Sequence, residues 1–270
     1  MIEVKDYFDY ANTIRRIVDN GDVRMSRIGP TFELLGLSVK FNAGDLFARP
    51  KMNRALGWLE VGHVLGGYFI GMDYKVVSPG LMWAYNLDAA YGLKTAEQMF
   101  TVSKQLINHP NSRRAIVHIG KERDTGEIAK PCVDSYQFIL NQRTNKLDLV
   151  MSVRSWDMVA GFIYDTMVGG ALCHAMAAVV GLEPGMVYAH AATAHVYMKD
   201  IEDDRLPTLA NKPPSTFHFT EKAIELMRQD GWAAVQRIGK AIADETLMWA
   251  EANHFSFTPS QIIREDYAND

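Results

Sequence analysis

A run over residues 158–181, apolar on nearly every side and rich in Ala, Val and Met, constrains this chain more than any other feature. A helix with no polar stripe has to be covered all round, so the run is expected to form a central helix buried against a sheet, not a surface helix. Its most apolar stretch, 167–182, is interrupted by Gly169, Gly170 and His174 and falls short of the roughly 20 residues of a membrane span.

Strands for such a sheet are legible on both sides of the run. Residues 32–41, 115–119, 186–192 and 217–219 read as strands, and 135–142 and 147–154 as an antiparallel pair joined by the polar, hairpin-length Arg143-Thr144-Asn145-Lys146. Tyr7, Ala11, Ile14 and Val18 recur at helical spacing and stop at Asn20-Gly21; further helices are expected over 53–65, over 95–108 before His109-Pro110, and over 232–251. With no repeat, linker or low-complexity stretch, the simplest reading is one α+β domain over residues 1–270.

Composition narrows the function. The 270 residues are 48% hydrophobic and 22% charged with a mean hydropathy of −0.11, an ordinary globular profile. A net charge of −4 and a pI near 6.1 supply no broad basic surface, which argues against sequence-independent binding to nucleic acid or to an anionic membrane. Residues 1–19 lack the parts of a signal peptide, so a cytoplasmic protein is expected. In that reducing compartment the only cysteines, Cys132 and Cys173, are expected to be free thiols.

Taken alone, Cys132 reads as a small core residue. Its surroundings point elsewhere: Pro131-Cys132 is followed by Gln137-Phe138 and, across the hairpin, by Arg154-Ser155, Asp157 and Gly161. A cation beside a thiol favours the thiolate, the nucleophilic form, and Arg154 is placed to supply that charge. Cys173, inside the apolar run with no adjacent cation, reads as core. His63, His174 and His190 show no metal-ligand spacing and read as structural, so no metal is expected. Gly66-Gly67 and Gly169-Gly170 lack the context of phosphate loops.

The region around Cys132 resembles the active-site region of thymidylate synthases, with Pro-Cys, Gln-Phe, Arg-Ser-x-Asp and Gly elements in the family's order. Ser26-Arg27-Ile28-Gly29 is similar to that family's Asp-Arg-Thr-Gly phosphate loop, Ala90-Tyr91-Gly92 to Val-Tyr-Gly, Asn111-Ser112-Arg113-Arg114 to Asp-Ser-Arg-Arg, and His195-Val196-Tyr197 to the His-Ile-Tyr ribose site. The resemblance implies a thymidylate synthase-like α+β fold with a mixed sheet, a homodimer with shared active sites, and 5,10-methylenetetrahydrofolate as cosubstrate with no metal.

Roles follow from the same resemblance. Cys132 would attack C6 of a pyrimidine nucleotide and make C5 nucleophilic. Arg27, Arg154 and Ser155 would hold the phosphate, with Arg113 and Arg114 reaching in from a second subunit; without the resemblance an Arg-Arg pair reads as solvated surface. His195 and Tyr197 would bond the ribose 3′-hydroxyl, and Gln137 would steady the contacts between nucleotide and Arg154. Tyr91 would assist removal of the C5 proton, and Asp157 would bond or support the folate's pterin ring. Glu60, in an apolar helix, either meets a partner or acts as an acid and base near the pyrimidine.

One departure concerns the base. After Gly161 the synthases read x-Pro-Phe-Asn, whereas this chain reads Phe162-Ile163-Tyr164-Asp165. A carboxyl group suits cytosine: one oxygen accepts from N4–H₂ while a shared proton serves N3. The pattern resembles the cytidylate hydroxymethylases of the superfamily and implies a dCMP or CMP 5-hydroxymethylase. A dCMP C5-methylase, a dUMP-using enzyme and a non-catalytic nucleotide- or RNA-binding relative are the rival readings. Residues 264–270 also differ from the family ending that closes over folate, which would let water hydrate the intermediate to a hydroxymethyl group. Val133 after the cysteine, and Ala192-Thr193-Ala194 before His195, depart from the family's usual residues as well.

Overall fold

In the computed structural model, which describes residues 1–68, 77, 91–120, 131–207, 209, 213–251 and 259–266, the chain opens with strand β1 (Ile2–Glu3) and helix α1 (Tyr7–Asn20). There follow β2 (Asp22–Met25), β3 (Pro30–Asn42), β4 (Asp45–Leu46), α2 (Arg54–Gly66), α3 (Tyr91–Asn108), β5 (Ile116–His118), β6 (Val133–Asn141), β7 (Lys146–Val153) and β8 (Trp156–Asp157). The remainder comprises α4 (Gly161–Val180), β9 (Glu183–Tyr197), α5 (Met198–Glu202), β10 (Ser215–Phe219), α6 (Glu221–Asp230), α7 (Trp232–Glu251) and β11 (Ile263–Asp266). Ala90 of the Ala90-Tyr91-Gly92 motif, and residues 267–270 of the terminal segment, lie outside the described residues.

The apolar run becomes α4. Sixteen of its 20 residues are buried, so although it is long and apolar enough to cross a membrane, it is the core helix of this fold. Its Gly-Gly pair makes that packing possible: a Cβ on Gly170 would stand 2.1 Å from the Ala43 carbonyl oxygen, and one on Gly169 would stand 2.6 Å from Met151 Sδ. Gly181, with φ of +74°, ends the helix in the left-handed conformation that favours glycine.

The helix packs on β7 and β9 of a mixed eight-stranded sheet with the order β1-β3-β9-β7-β6-β5; β2 pairs with β3 and β8 with β9. β3 runs antiparallel to β9, β7 parallel to β9, and β6 antiparallel to both β7 and β5. A second sheet has the order β11-β10-β4. The expected hairpin is the β6–β7 pair, with Leu140 opposite Leu147. β9 runs well beyond the expected 186–192, because its far end pairs with the first half of β3 and with β8.

Gly36 puts a kink in the middle of this sheet. At φ of +69° it takes a conformation that side chains rarely adopt, and across it burial changes parity. On β3 the buried odd positions Leu37, Val39 and Phe41 give way, before an exposed Leu35, to Phe32 and Leu34, which pack partly buried against the core. On β9 the buried Val187, Ala189 and Ala191 give way to Ala194 and Val196. Without that switch His195 would continue the buried odd series; with it the imidazole keeps partial access to the surface beside its cross-strand partner Glu33.

An aromatic cluster fixes the start of α4. Phe162 stacks on Tyr10 with ring centroids 4.5 Å apart and lies 5.2 Å from Phe47 and 5.1 Å from Trp156. The Tyr10 hydroxyl donates to the Met158 carbonyl at 2.6 Å, which meets the one polar atom on that otherwise apolar ring. Arg49 Nε donates to the Val159 carbonyl at 2.7 Å. The first turn of α4 is therefore held from α1 and from the segment after β4.

Candidate active site

The start of β6, the β7–β8 connection, the first turns of α4 and the far end of β9 converge, and they carry the motif residues singled out in the sequence. Cys132, directly before β6, is linked to the next strand by a bond from the Arg154 amide to the Cys132 carbonyl at 2.9 Å. The Arg154 guanidinium donates through Nε to the Pro131 carbonyl at 2.9 Å and comes within 3.9 Å of Cys132 Sγ. From the start of α3, Tyr91 Oη accepts from the Cys132 and Val133 amides at 2.9 and 3.4 Å. The thiol is thus positioned through backbone bonds on both sides of it.

Its ionisation differs from the expectation. Burial pushes the Cys132 thiol up to about 11, and the negative charge of Asp165 pushes the same way. Arg154 opposes both, but one guanidinium at the limit of hydrogen-bonding distance does not offset desolvation. Cys132 therefore rests as a thiol. Tyr91 is likewise held well above its ordinary value by burial, so it is a hydroxyl donor and not a phenolate base.

Two carboxyls set the proton content of the cleft. Asp165, on the second turn of α4, is raised to about 7 by burial, with Asp157 adding to the rise and the Trp156 indole N–H opposing it. That N–H donates to Asp165 Oδ2 at 2.9 Å. Glu60 on α2 is raised to about 8, first by burial and then by the charge of Asp165. Near neutral pH Glu60 holds its proton and Asp165 is partly protonated, which weakens the Asp165 charge that works against the Cys132 thiolate.

Asp157 is engaged locally. Its Oδ1 accepts from the Val159 and Ala160 amides at 2.9 Å each, closing the turn that leads into α4. On β9, His195 and Tyr197 meet edge to face at 5.1 Å; burial lowers the imidazole pKa while Asp157, Glu33 and Asp200 act to raise it. Arg27 sits at the tip of the β2–β3 hairpin, whose Ser26 Oγ donates to the Gly29 carbonyl at 2.7 Å and acts to lower the Tyr197 pKa, and whose Thr31 pairs with Tyr197 across the sheet. The hairpin and the end of β9 are thereby coupled. Ser155 lies between β7 and β8, next to Arg154.

Three expected site residues stand apart from this cluster. Arg113 and Arg114 are exposed on the α3–β5 loop, where they help line a surface cavity of about 600 Å³. The Gln137 amide donates to the Arg113 carbonyl at 2.8 Å, so this side chain is tied to the arginine loop and not to Arg154 as expected. Among the described residues no three His, Cys, Asp or Glu side chains converge as metal ligands. His63 and His174 are neutral core histidines, lowered by burial to about 4 and about 3.

Sequence reasoning missed Trp156. It occupies the variable position of Arg154-Ser155-x-Asp157, where the sequence shows only a tryptophan; that its indole is fully buried and spends its N–H on Asp165 emerges from the structure. Tyr136, buried and close enough for both carboxyls to raise its pKa, was passed over because it reads as an ordinary core position of a strand.

A fold built around a buried helix, with a cysteine and an arginine at the strand ends and two carboxyls on the adjoining helices α2 and α4, places the molecule among enzyme-like α+β folds. Residues 77–241 match the family model described as thymidylate synthase, and the chain belongs to that family. The thymidylate synthase of Ascaris suum is 31% identical over 139 residues, covering 50% of this chain and 46% of that protein. A Listeria monocytogenes thymidylate synthase is 30% identical over 145 residues, covering 49% and 46%. The match thus spans about half the length of these curated relatives. The crystal structure of thymidylate synthase from T4 phage superposes with a TM-score of 0.68 at 21% identity, over 84% of this chain and 91% of that one, and shows the shared fold. A reduced folate fits what is present: Asp157 Oδ2 accepts no hydrogen bond among the described residues and suits the N–H donors of a pterin ring.

Proposed function

We propose that this protein transfers a one-carbon unit to C5 of a cytosine nucleoside monophosphate, dCMP or CMP, giving a 5-hydroxymethyl product. The observation that carries this reading is Asp165: a carboxyl poised near neutrality, facing the same cleft as Cys132 and Glu60, can offer cytosine an acceptor for N4–H₂ and a proton for N3. A proton delivered to N3 makes C6 more electrophilic, which aids attack by a thiol whose own ionisation is unfavourable.

Each residue then has a task. Cys132 adds to C6, and its proton passes to the Asp165 carboxylate that has given its own proton to N3. Arg27, Arg154 and Ser155 hold the phosphate, and His195 and Tyr197 hold the ribose. Glu60, easily protonated at neutral pH, exchanges protons around the base, and Tyr91 fixes the Cys132 backbone while presenting its hydroxyl to the pyrimidine. Methylenetetrahydrofolate supplies the one-carbon unit, with Asp157 and its free oxygen as the pterin contact. Arg113 and Arg114, exposed in the single chain, complete the phosphate site of a partner subunit in a cytoplasmic homodimer.

The second reading is methylation of dUMP, favoured by the name that the similar proteins share. Incubating the protein with CMP, dCMP, UMP and dUMP plus methylenetetrahydrofolate decides between them. A product about 30 mass units heavier, the mass of one added CH₂O group, with no dihydrofolate absorbance, is the expected outcome for a cytosine nucleotide. Turnover of dUMP alone, with dihydrofolate formed, would overturn the proposal.

A further inference from the structure

A neutral carboxyl is ambivalent. One of its oxygens donates and the other accepts, and exchanging the proton between them converts a surface complementary to cytosine into one complementary to uracil. The replacement of Asn by Asp at position 165 therefore does not select a base until something fixes which oxygen bears the proton.

The Trp156 indole supplies that constraint. It is fully buried, it can only donate, and its N–H points at Asp165 Oδ2 from 2.9 Å. Oδ2 is also turned back toward the helix start, 3.5 Å from where a Cβ on Gly161 would stand. An oxygen that already receives one N–H is the poorer site for a proton, so Oδ2 is kept an acceptor and the proton resides on Oδ1. We propose that Trp156 is the specificity-determining residue of this site: by locking Oδ2 as acceptor toward the exocyclic position and Oδ1–H as donor toward N3, it makes the pocket read cytosine. This rests on the cytidylate reading of the site. It has a consequence that the aspartate alone does not have. In Asp165→Asn the same indole would hold the amide oxygen in the Oδ2 place and leave the NH₂ facing N3, which still matches cytosine.

The test is the ratio of kcat/KM for dCMP over dUMP, and for CMP over UMP, in wild type, Trp156→Phe, Asp165→Asn and the double variant. Asp165→Asn is expected to keep a cytosine preference. Trp156→Phe is expected to lower the ratio by at least about tenfold, and the double variant to lower it further. The alkaline limb of kcat/KM for the cytosine nucleotide should also move up in Trp156→Phe, because the lost N–H had favoured the ionised form of Asp165. A ratio within about twofold of wild type and an unmoved limb in folded Trp156→Phe would overturn the lock. If wild type prefers uracil, the cytidylate reading fails and the lock with it; a cytosine preference that Trp156→Phe leaves unmoved overturns the lock alone. Should Trp156→Phe not fold, ¹⁵N-indole spectra of wild type decide: one indole N–H should titrate near pH 7 and lose that titration in Asp165→Asn, and a wild-type spectrum with no such resonance overturns the proposal.

Discussion

At the scale of single residues the site is governed by burial acting on ionisable groups, and this sets two predictions. Cys132→Ser should lower turnover by roughly a thousandfold or more while leaving nucleotide affinity nearly intact, because the hydroxyl is the weaker nucleophile and the phosphate and ribose contacts remain. Cys173, whose Sγ donates to the Leu147 carbonyl at 3.2 Å inside the core, serves as control: Cys173→Ser should change stability and spare activity. Single-turnover kinetics with equilibrium nucleotide binding measure both, and a Cys132→Ser enzyme with near-normal turnover would rule out covalent catalysis. The second prediction concerns pH. Folding raises Asp165 from 3.8 to about 7 and Glu60 from 4.5 to about 8, so the folded protein holds protons that the unfolded chain has released. The corresponding stability is fully present below the ordinary carboxyl values and is lost as pH rises through 7 and 8. Asp165→Asn, which has nothing to ionise, should therefore gain in Tm relative to wild type between pH 5 and pH 8. Thermal melts at those two pH values check it; a constant difference would mean that Asp165 is already ionised across the range.

Among the secondary-structure elements, α2 and α7 make the closest helix pair, and their contact rests on glycines. A Cβ on Gly239 would stand 2.3 Å from the Gly66 amide nitrogen, and one on Gly62 would stand 2.7 Å from the Ala243 amide nitrogen. These are backbone atoms, so the helices themselves would have to separate. Gly239→Ala should cost about 1–3 kcal/mol, read as a lowered urea midpoint at unchanged m-value, and it should also disturb activity, since α2 carries Glu60. Such contacts mark the limit of what was legible. Helical spacing gave α1 and α7, unbroken apolar runs gave α2 and α4, and strand-like runs around a polar turn gave the β6–β7 hairpin, each nearly to its ends. The helix α6, capped by Thr220, went unread because its ten residues are mostly charged and polar. The short β1, β4, β8 and β11 carry too few residues for any period and exist only through their pairing partners. In the site, residue types and order pointed to Cys132, Arg154 and Asp165, whereas the thiol's raised pKa and the role of Trp156 depend on distances and burial that no spacing encodes.

At the scale of the whole molecule the proposed dimer makes the sharpest prediction. If Arg113 and Arg114 serve the partner's site, subunit exchange between a Cys132→Ser protein and an Arg114→Ala protein should create dimers with one intact site, recovering about a quarter of the wild-type sites at full random exchange. Verified exchange with no recovery would count against shared sites. The order of strands carries one further consequence, for how the protein folds. β9 lies between β3 and β7 and pairs with β3 over eleven residues, yet those two strands are separated by most of the first two-thirds of the chain. During synthesis β3 leaves the ribosome long before its partner exists, with a kinked, partly apolar edge to shelter in the meantime. Closing so long a loop before the central pairing forms places this chain among slow folders of high contact order, and it makes the interval before β9 emerges the time at which aggregation competes most strongly with folding.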